Sequence, residues 1–321
     1  MDLFAPLLSQ MVFLFAFIAI GFILAKWKFI PDDSSRVLSR LENLLFIPAL
    51  VMGTFITNCT VDTLGKMWKL LLMSFTVLVV LIPLSLLCAK LVFKENYLRK
   101  IAVYGLTFSN FAYMGNAIVS AVFPEIFSDY LIFCLPFWLL IYLWGVPVLL
   151  ISGSGEEKHT LKDGLKNLAN PMLVATLIGI VLGLTGWGLK LPSAILSVIN
   201  VSGNCMSPVA MLLTGMTLGK LDILALIKKW RIYLMSGLKL VVYPLLFILI
   251  FLVLPRNAFI NETFLICSLC VAAMPLGLNT IVVPAGYGKD VSDAAGMALV
   301  THVMSIVTIP LIFMLFQAVI L

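Results

Sequence analysis

The chain has 321 residues, 62% of them hydrophobic and only 11% charged, with a formal net charge of +6 and a mean hydropathy of +1.13. A soluble domain carries roughly twice that charged fraction, and no water-soluble fold hides so much apolar surface. The composition excludes a soluble fold, makes the positive charge a question of membrane topology rather than nucleic-acid binding, and leaves room for about ten spans of ~20 residues.

The opening stretch, MDLFAPLLSQ, has no basic leader region and no small-residue cleavage site after its apolar run. That run therefore reads as a retained span. Apolar runs bounded by charged or Gly/Pro-rich stretches predict ten spans, at 7–27, 37–56, 67–91, 101–123, 129–151, 171–188, 195–218, 233–254, 262–286 and 294–321. The longest connection is the polar, glycine-bearing stretch 152–170, which separates five spans from five. Of the 21 Lys and Arg, 16 fall in odd-numbered connections; only Lys66, Lys69, Lys190 and Arg256 fall in even ones, and Lys239 lies inside span eight. The asymmetry puts the odd connections in the cytoplasm and both termini outside it.

Five is odd, so the second half must be inverted relative to the first. Residue pairs at a common offset support a repeat: Trp27 with Trp187, Pro48 with Pro208 and Pro124 with Pro284 are each 160 apart. Pro31 with Pro192 and Asn43 with Asn204 are 161 apart. Inverted repeats of this kind are a signature of secondary transporters.

The fourth span of each half carries polar and small residues at its middle. Span four contains Asn110, Gly115 and Asn116; span nine contains Pro275, Gly277 and Asn279. Pro275 removes a backbone donor and Gly277 frees the chain from helical geometry, whereas the break in span four is expected to rest on Gly115 and its flanking asparagines. Unwound backbone at membrane depth is tolerated only inside protein or against a wet cavity. Two such breaks bring two half-helix N-termini together, each with free N–H groups and partial positive charge, which suits a small anion. Close helix packing around small residues is the alternative reading for either span alone.

No Asp or Glu falls in the central part of a predicted span; Glu42 is read as lying near the end of span two, which speaks against direct proton coupling. Lys239 is read as snorkelling to the near surface, with substrate contact as the alternative. His302 is read as a neutral histidine bonded to a neighbouring helix, again with substrate contact as the alternative. Cys267 and Cys270 form a C-x-x-C without the strand-to-helix context of a redox motif, so they read as small hydrophobes. No cofactor or metal site is implied.

These residues resemble the auxin efflux carrier family, the bacterial relatives of plant PIN-type auxin exporters. NPMLVATLIGIVLGLTGWGLKLP (170–192) resembles the start of that family's second repeat. SGNCMSPVAMLLTGMTLG resembles its seventh span, NFAYMGNAI its break in span four, and MPLGLNTIVVPAGYGKD its crossover in span nine. The resemblance covers nearly the whole chain. It implies an all-α membrane protein of two inverted five-helix repeats with crossing, broken helices four and nine. It further implies a scaffold of spans one, two, six and seven, a mobile domain of the other six, and a homodimer. Asn110 matches the family's span-four asparagine and Pro275 its span-nine proline. Where the family has proline after Met-Gly, this chain has Asn116, and the long central region of the plant carriers is absent.

The functional expectation is a plasma-membrane carrier for a small mono- or dicarboxylate, of the malate, malonate or auxin kind, running on membrane potential without a nucleotide motif. The substrate residues expected are Asn110, Gly115, Asn116, Pro275, Gly277 and Asn279, with Asn43, Asn204, Lys239 and His302 as secondary candidates. A sodium-coupled symporter, or a channel or sensor on the same scaffold, is the alternative. An enzyme is not expected, since two histidines without clustered acids supply neither a nucleophile–base pair nor a metal.

Overall fold

A computed structural model describes residues 4–151, 171–222, 228–255, 260–286 and 289–320. The chain is an all-α integral membrane protein. Its principal helices are α1 (Phe4–Lys26), α2 (Ser34–Asn58), α3 (Val61–Val92), α4 (Asn96–Thr107), α5 (Phe111–Val122), α6 (Pro124–Ile151), α7 (Pro171–Leu184), α8 (Ser193–Gly219), α9 (Trp230–Val253), α10 (Glu262–Ala273), α11 (Asn279–Gly286) and α12 (Ser292–Val319). Among the described residues seven stretches are long and apolar enough to cross a membrane, in α1, α2, α3, α6, α8, α9 and α12. Every predicted span coincides with one helix, except that 101–123 is the pair α4–α5 and 262–286 the pair α10–α11. The 152–170 connection, with the expected cytoplasmic loop, lies outside the described residues, as does Arg256.

Local chemistry sets the helix starts and their irregular turns. α3 begins with a reciprocal cap, the Thr60 N–H donating to Thr63 Oγ1 at 2.8 Å. It therefore starts before the predicted boundary, and Lys66 and Lys69 lie on its first turns. Asn261 caps α10 by accepting from the Phe264 N–H at 2.9 Å. Widened π turns precede two prolines, at Glu42–Phe46 before Pro48 and at Leu238–Val242 before Pro244, and another runs through Pro147 in α6. A proline ring collides with the carbonyl four residues back and offers no N–H, and one inserted residue per turn relieves both conflicts.

Two seams of glycine join the first half of the chain to the second. A methyl group at Gly21 would collide with the Leu212 carbonyl, and one at Gly215 with the Ile18 carbonyl, so α1 and α8 meet backbone to backbone. In the same way Gly179 of α7 lies where a Cβ would stand 3.0 Å from the Met52 carbonyl of α2, and Gly183 leaves no space beside the Phe55 carbonyl. In lipid, where tails are as apolar as side chains, such close approach is what holds helices together. The other helices pack through large aromatics instead. Phe111, Phe137 and Trp138 cluster where α5 meets α6, and Phe251, Phe264 and Phe316 where α9, α10 and α12 meet.

Candidate functional site: the crossing of two broken helices

Residues 108–110 and 274–278 leave helical geometry, and the two breaks pair with each other. Ser109 and Leu276 form an antiparallel bridge. The Asn110 N–H donates to the Pro275 carbonyl at 2.8 Å. In a regular helix the N–H of residue 275 would donate to the Val271 carbonyl. Pro275 cannot, and that carbonyl instead accepts from the Ser109 hydroxyl at 2.6 Å. The Leu276 N–H reaches Thr301 Oγ1 on α12 at 3.3 Å. The Val271 and Pro275 carbonyls and the Asn110 and Leu276 N–H groups, freed by the breaks, are thus met by the other break or by α12. α5 and α11 start immediately after the breaks, and the antiparallel bridge makes the two chains run oppositely there.

The predicted residues fall into three sets. Asn110, Pro275 and Gly277 lie in the crossing itself, and Asn279 lies at the first turn of α11. Asn110 is 2% exposed. Its Nδ2 donates to His302 Nε2 at 3.1 Å, while His302 Nδ1–H donates to the Ala298 carbonyl at 2.8 Å, which fixes a neutral tautomer. His302 is therefore bonded to a neighbouring helix, and the partner is Asn110. Asn110 Oδ1 is buried with no partner. Asn279 Nδ2 donates to the Tyr104 hydroxyl of α4 at 3.1 Å.

Gly115 and Asn116 are the second set, and here the expectation is corrected. Both have ordinary right-handed helical dihedrals, one turn beyond the break. Gly115 is small for a different reason: a side chain there would collide with the Tyr130 hydroxyl of α6, which donates to the Phe111 carbonyl at 3.0 Å. The first break ends at Asn110, five residues before Gly115, because it is imposed by contacts with the second. Asn116 is buried beside it, 4% exposed.

Asn43, Asn204, Lys239 and His302 do not form one group. Asn204 lies away from the crossing in a polar cavity of about 390 Å³ between α2, α8 and the α5–α6 connection, with Asn58, Ser120, Ser128 and Asn200. Asn43 donates to the Ser39 carbonyl at 2.7 Å and lies within hydrogen-bonding reach of Tyr113. Lys239 does not snorkel. It is fully buried, its Nζ lying 3.3 Å from the Leu106 carbonyl and over the Tyr243 ring at 5.6 Å. The π turn at Leu238–Val242 places it on the inward side of α9, beside the end of α4, two residues before the break. Glu42, read as lying near a span's end, is also fully buried, and neither carboxylate oxygen has a partner. Cys267 and Cys270 are buried free thiols.

A family model described as a membrane transport protein matches residues 6–313. The chain belongs to the membrane transport protein family. That family is one of transporters, not of enzymes. No curated protein matches the chain significantly. At the crossing, polar backbone is satisfied by protein rather than by lipid. Ser109, Tyr104, Tyr130 and Thr301 belong to it and were not singled out from sequence. Two cues were available, Ser109 adjoining Asn110 and Thr301 adjoining His302, but hydroxyl residues are common within helices and return their bond to the preceding turn.

Outside the spans, the residues just before α12 are tied down as well. Lys289 Nζ donates to the Leu150 carbonyl at 3.2 Å and lies over the Tyr97 ring at 5.4 Å. Burial, with Lys100 nearby, pulls its pKa below the usual lysine value. Asp290 accepts from the Ser292 N–H at 2.9 Å, and its hydrogen bonds with Ser292 hold the carboxyl below its usual value.

Proposed function

We propose that this transporter is a secondary carrier for a small organic anion, a mono- or dicarboxylate, working by alternating access. The observation that carries the reading is the antiparallel pairing of the two breaks, from which α5 and α11 both begin. Helix N-termini offer unpaired N–H groups and about half a positive charge each. Lys239 adds a buried amine beside the same break, and Asn110 and Asn279 add side-chain amides. The glycine seams support α1, α2, α7 and α8 as the scaffold, against which α3–α6 and α9–α12 move. The offset pairs support two inverted five-helix repeats, 1–151 and 171–321. The Lys and Arg asymmetry supports a plasma-membrane carrier with both termini outside, and the resemblance to the auxin efflux carriers supports a homodimer. The substrate class follows from the same resemblance, to malate, malonate or auxin-like acids.

The test is charge movement by proteoliposomes on a solid-supported membrane, with a panel of mono- and dicarboxylates. Saturable currents or counterflow for one class are expected. Neither current nor counterflow across the panel overturns the anion reading. A sodium-coupled symporter is the second reading, favoured by Asn110 Oδ1, a buried unpartnered oxygen of the kind that ligates an alkali cation. Currents that require sodium select it.

A further inference from the structure

We propose that Glu42 is the proton-coupling site of this carrier: its carboxyl holds a proton in the closed arrangement described here and releases it when the broken helix opposite moves away. The proposal rests on the anion-carrier reading above. It starts from a conflict of burial and charge. Glu42 is 0% exposed, and both carboxylate oxygens lack a partner. Among the described residues it is the one Asp or Glu that is buried. An unpaired carboxylate out of water is strongly disfavoured against the neutral acid, which leaves the acid form or a bound cation.

The neighbours decide between these two. The widened turn at Glu42–Phe46 puts Glu42 on the buried face while Asn43, Leu44 and Leu45 are exposed. That turn packs against α8 and α7. α7 carries no titratable side chain, and α8 carries only Cys205. On α2 itself the basic residues Arg36 and Arg40 leave both Glu42 oxygens unpaired. From α5 the titratable group on this side is Tyr113, which lies within hydrogen-bonding reach of Asn43. Neither carboxylate oxygen has a hydrogen-bonding partner, and among the described residues no three His, Cys, Asp or Glu gather to hold a metal, so a cation lacks the several ligands it needs. A proton needs one.

The position also explains how binding becomes coupling. Glu42 lies on the scaffold side, and Tyr113 lies in the first turn of α5, directly after the break. The two surfaces close over the carboxyl only when it is neutral. A proton from water on one side of the membrane binds Oε, giving the acid; it crosses in the sealed state and returns to water on the other side, leaving the carboxylate. One proton with a monocarboxylate moves no net charge, and one with a dicarboxylate moves one negative charge.

Two measurements on the full chain test it. The first is infrared titration in lipid, compared with Glu42→Gln, which keeps the shape of the acid. A carboxylic acid C=O band at neutral pH that is absent from Glu42→Gln is expected; its absence from the wild type overturns the proposal without reference to any substrate. The second is uptake of the acid found above, with and without an imposed proton gradient. The wild type is expected to accelerate severalfold with the gradient, and Glu42→Gln to show no response to it. Equal stimulation of both, a wild type indifferent to the gradient, or stimulation by sodium instead overturns coupling at Glu42. Silence with every acid sinks the anion reading alone, and the infrared band still decides where the proton sits.

Discussion

The two broken helices reach the same geometry by unequal means. The second break is written into its own residues: Pro275 has no N–H to give, and Gly277 lies where a Cβ would stand 3.3 Å from the Phe108 carbonyl. The first has no proline, and its chain would continue as a helix but for the contacts across the crossing. Its Ser109 hydroxyl replaces the donor that Pro275 lacks, and the Asn110 N–H is drawn to the Pro275 carbonyl. One break is local chemistry and the other is tertiary structure. A sequence can therefore carry an obvious break in one half of the chain and leave the other to be imposed.

The sharpest test of this comparison is at Gly115. If its role is room for Tyr130 rather than flexibility, Gly115→Ala destabilises by about 3 kcal/mol through overpacking and the lost hydroxyl bond. Gly115→Ala with Tyr130→Phe recovers most of that loss in thermal unfolding in detergent. A flexible hinge predicts no such rescue. Next is Ser109→Ala, which strands the Val271 carbonyl and costs about 2 kcal/mol. Adding Pro275→Ala supplies a donor to that carbonyl and regains stability, while straightening the second helix and abolishing transport. If the first break stood by itself, Pro275→Ala would not help. Asn110→Ala leaves the neutral His302 Nε2 without its donor and is expected to lower transport about tenfold, equivalent to ~1.4 kcal/mol, with expression intact. The smallest effect is at the edge of the crossing: Asn279→Ala or Tyr104→Phe removes one neutral hydrogen bond worth about 1 kcal/mol, and a double-mutant cycle shows the two losses to be one interaction.

The spans were legible because apolar length is a property of the sequence itself. Span four and span nine were recognised as unusual, and Pro275 located the second break within a residue. The first break was assigned to Gly115 and its flanking asparagines, of which only Asn110 lies in it, because its cause lies some 160 residues away in the chain, where no local signal points. Burial was the least legible feature. In a soluble helix the polar face marks the outside, but here lipid-facing and protein-facing sides are both apolar, so a lone Lys or Glu gives no indication of which side it takes. Lys239 and Glu42 were therefore assigned to the surface, and it took the π turns before Pro244 and Pro48 to turn them inward. Tyr130 illustrates the same limit, since nothing in the sequence signals that its hydroxyl bonds the Phe111 carbonyl and needs a glycine at 115.

The glycine seam between α1 and α8 bears on how the molecule is made. Gly21 and Gly215 are separated by most of the polypeptide, and neither helix can complete its packing until the ribosome has delivered the other. The nascent first half waits in the bilayer with its small-residue face uncovered, and the framework closes only late in synthesis. Two separately encoded halves, 1–151 and 171–321, should on this account find each other in the membrane and assemble.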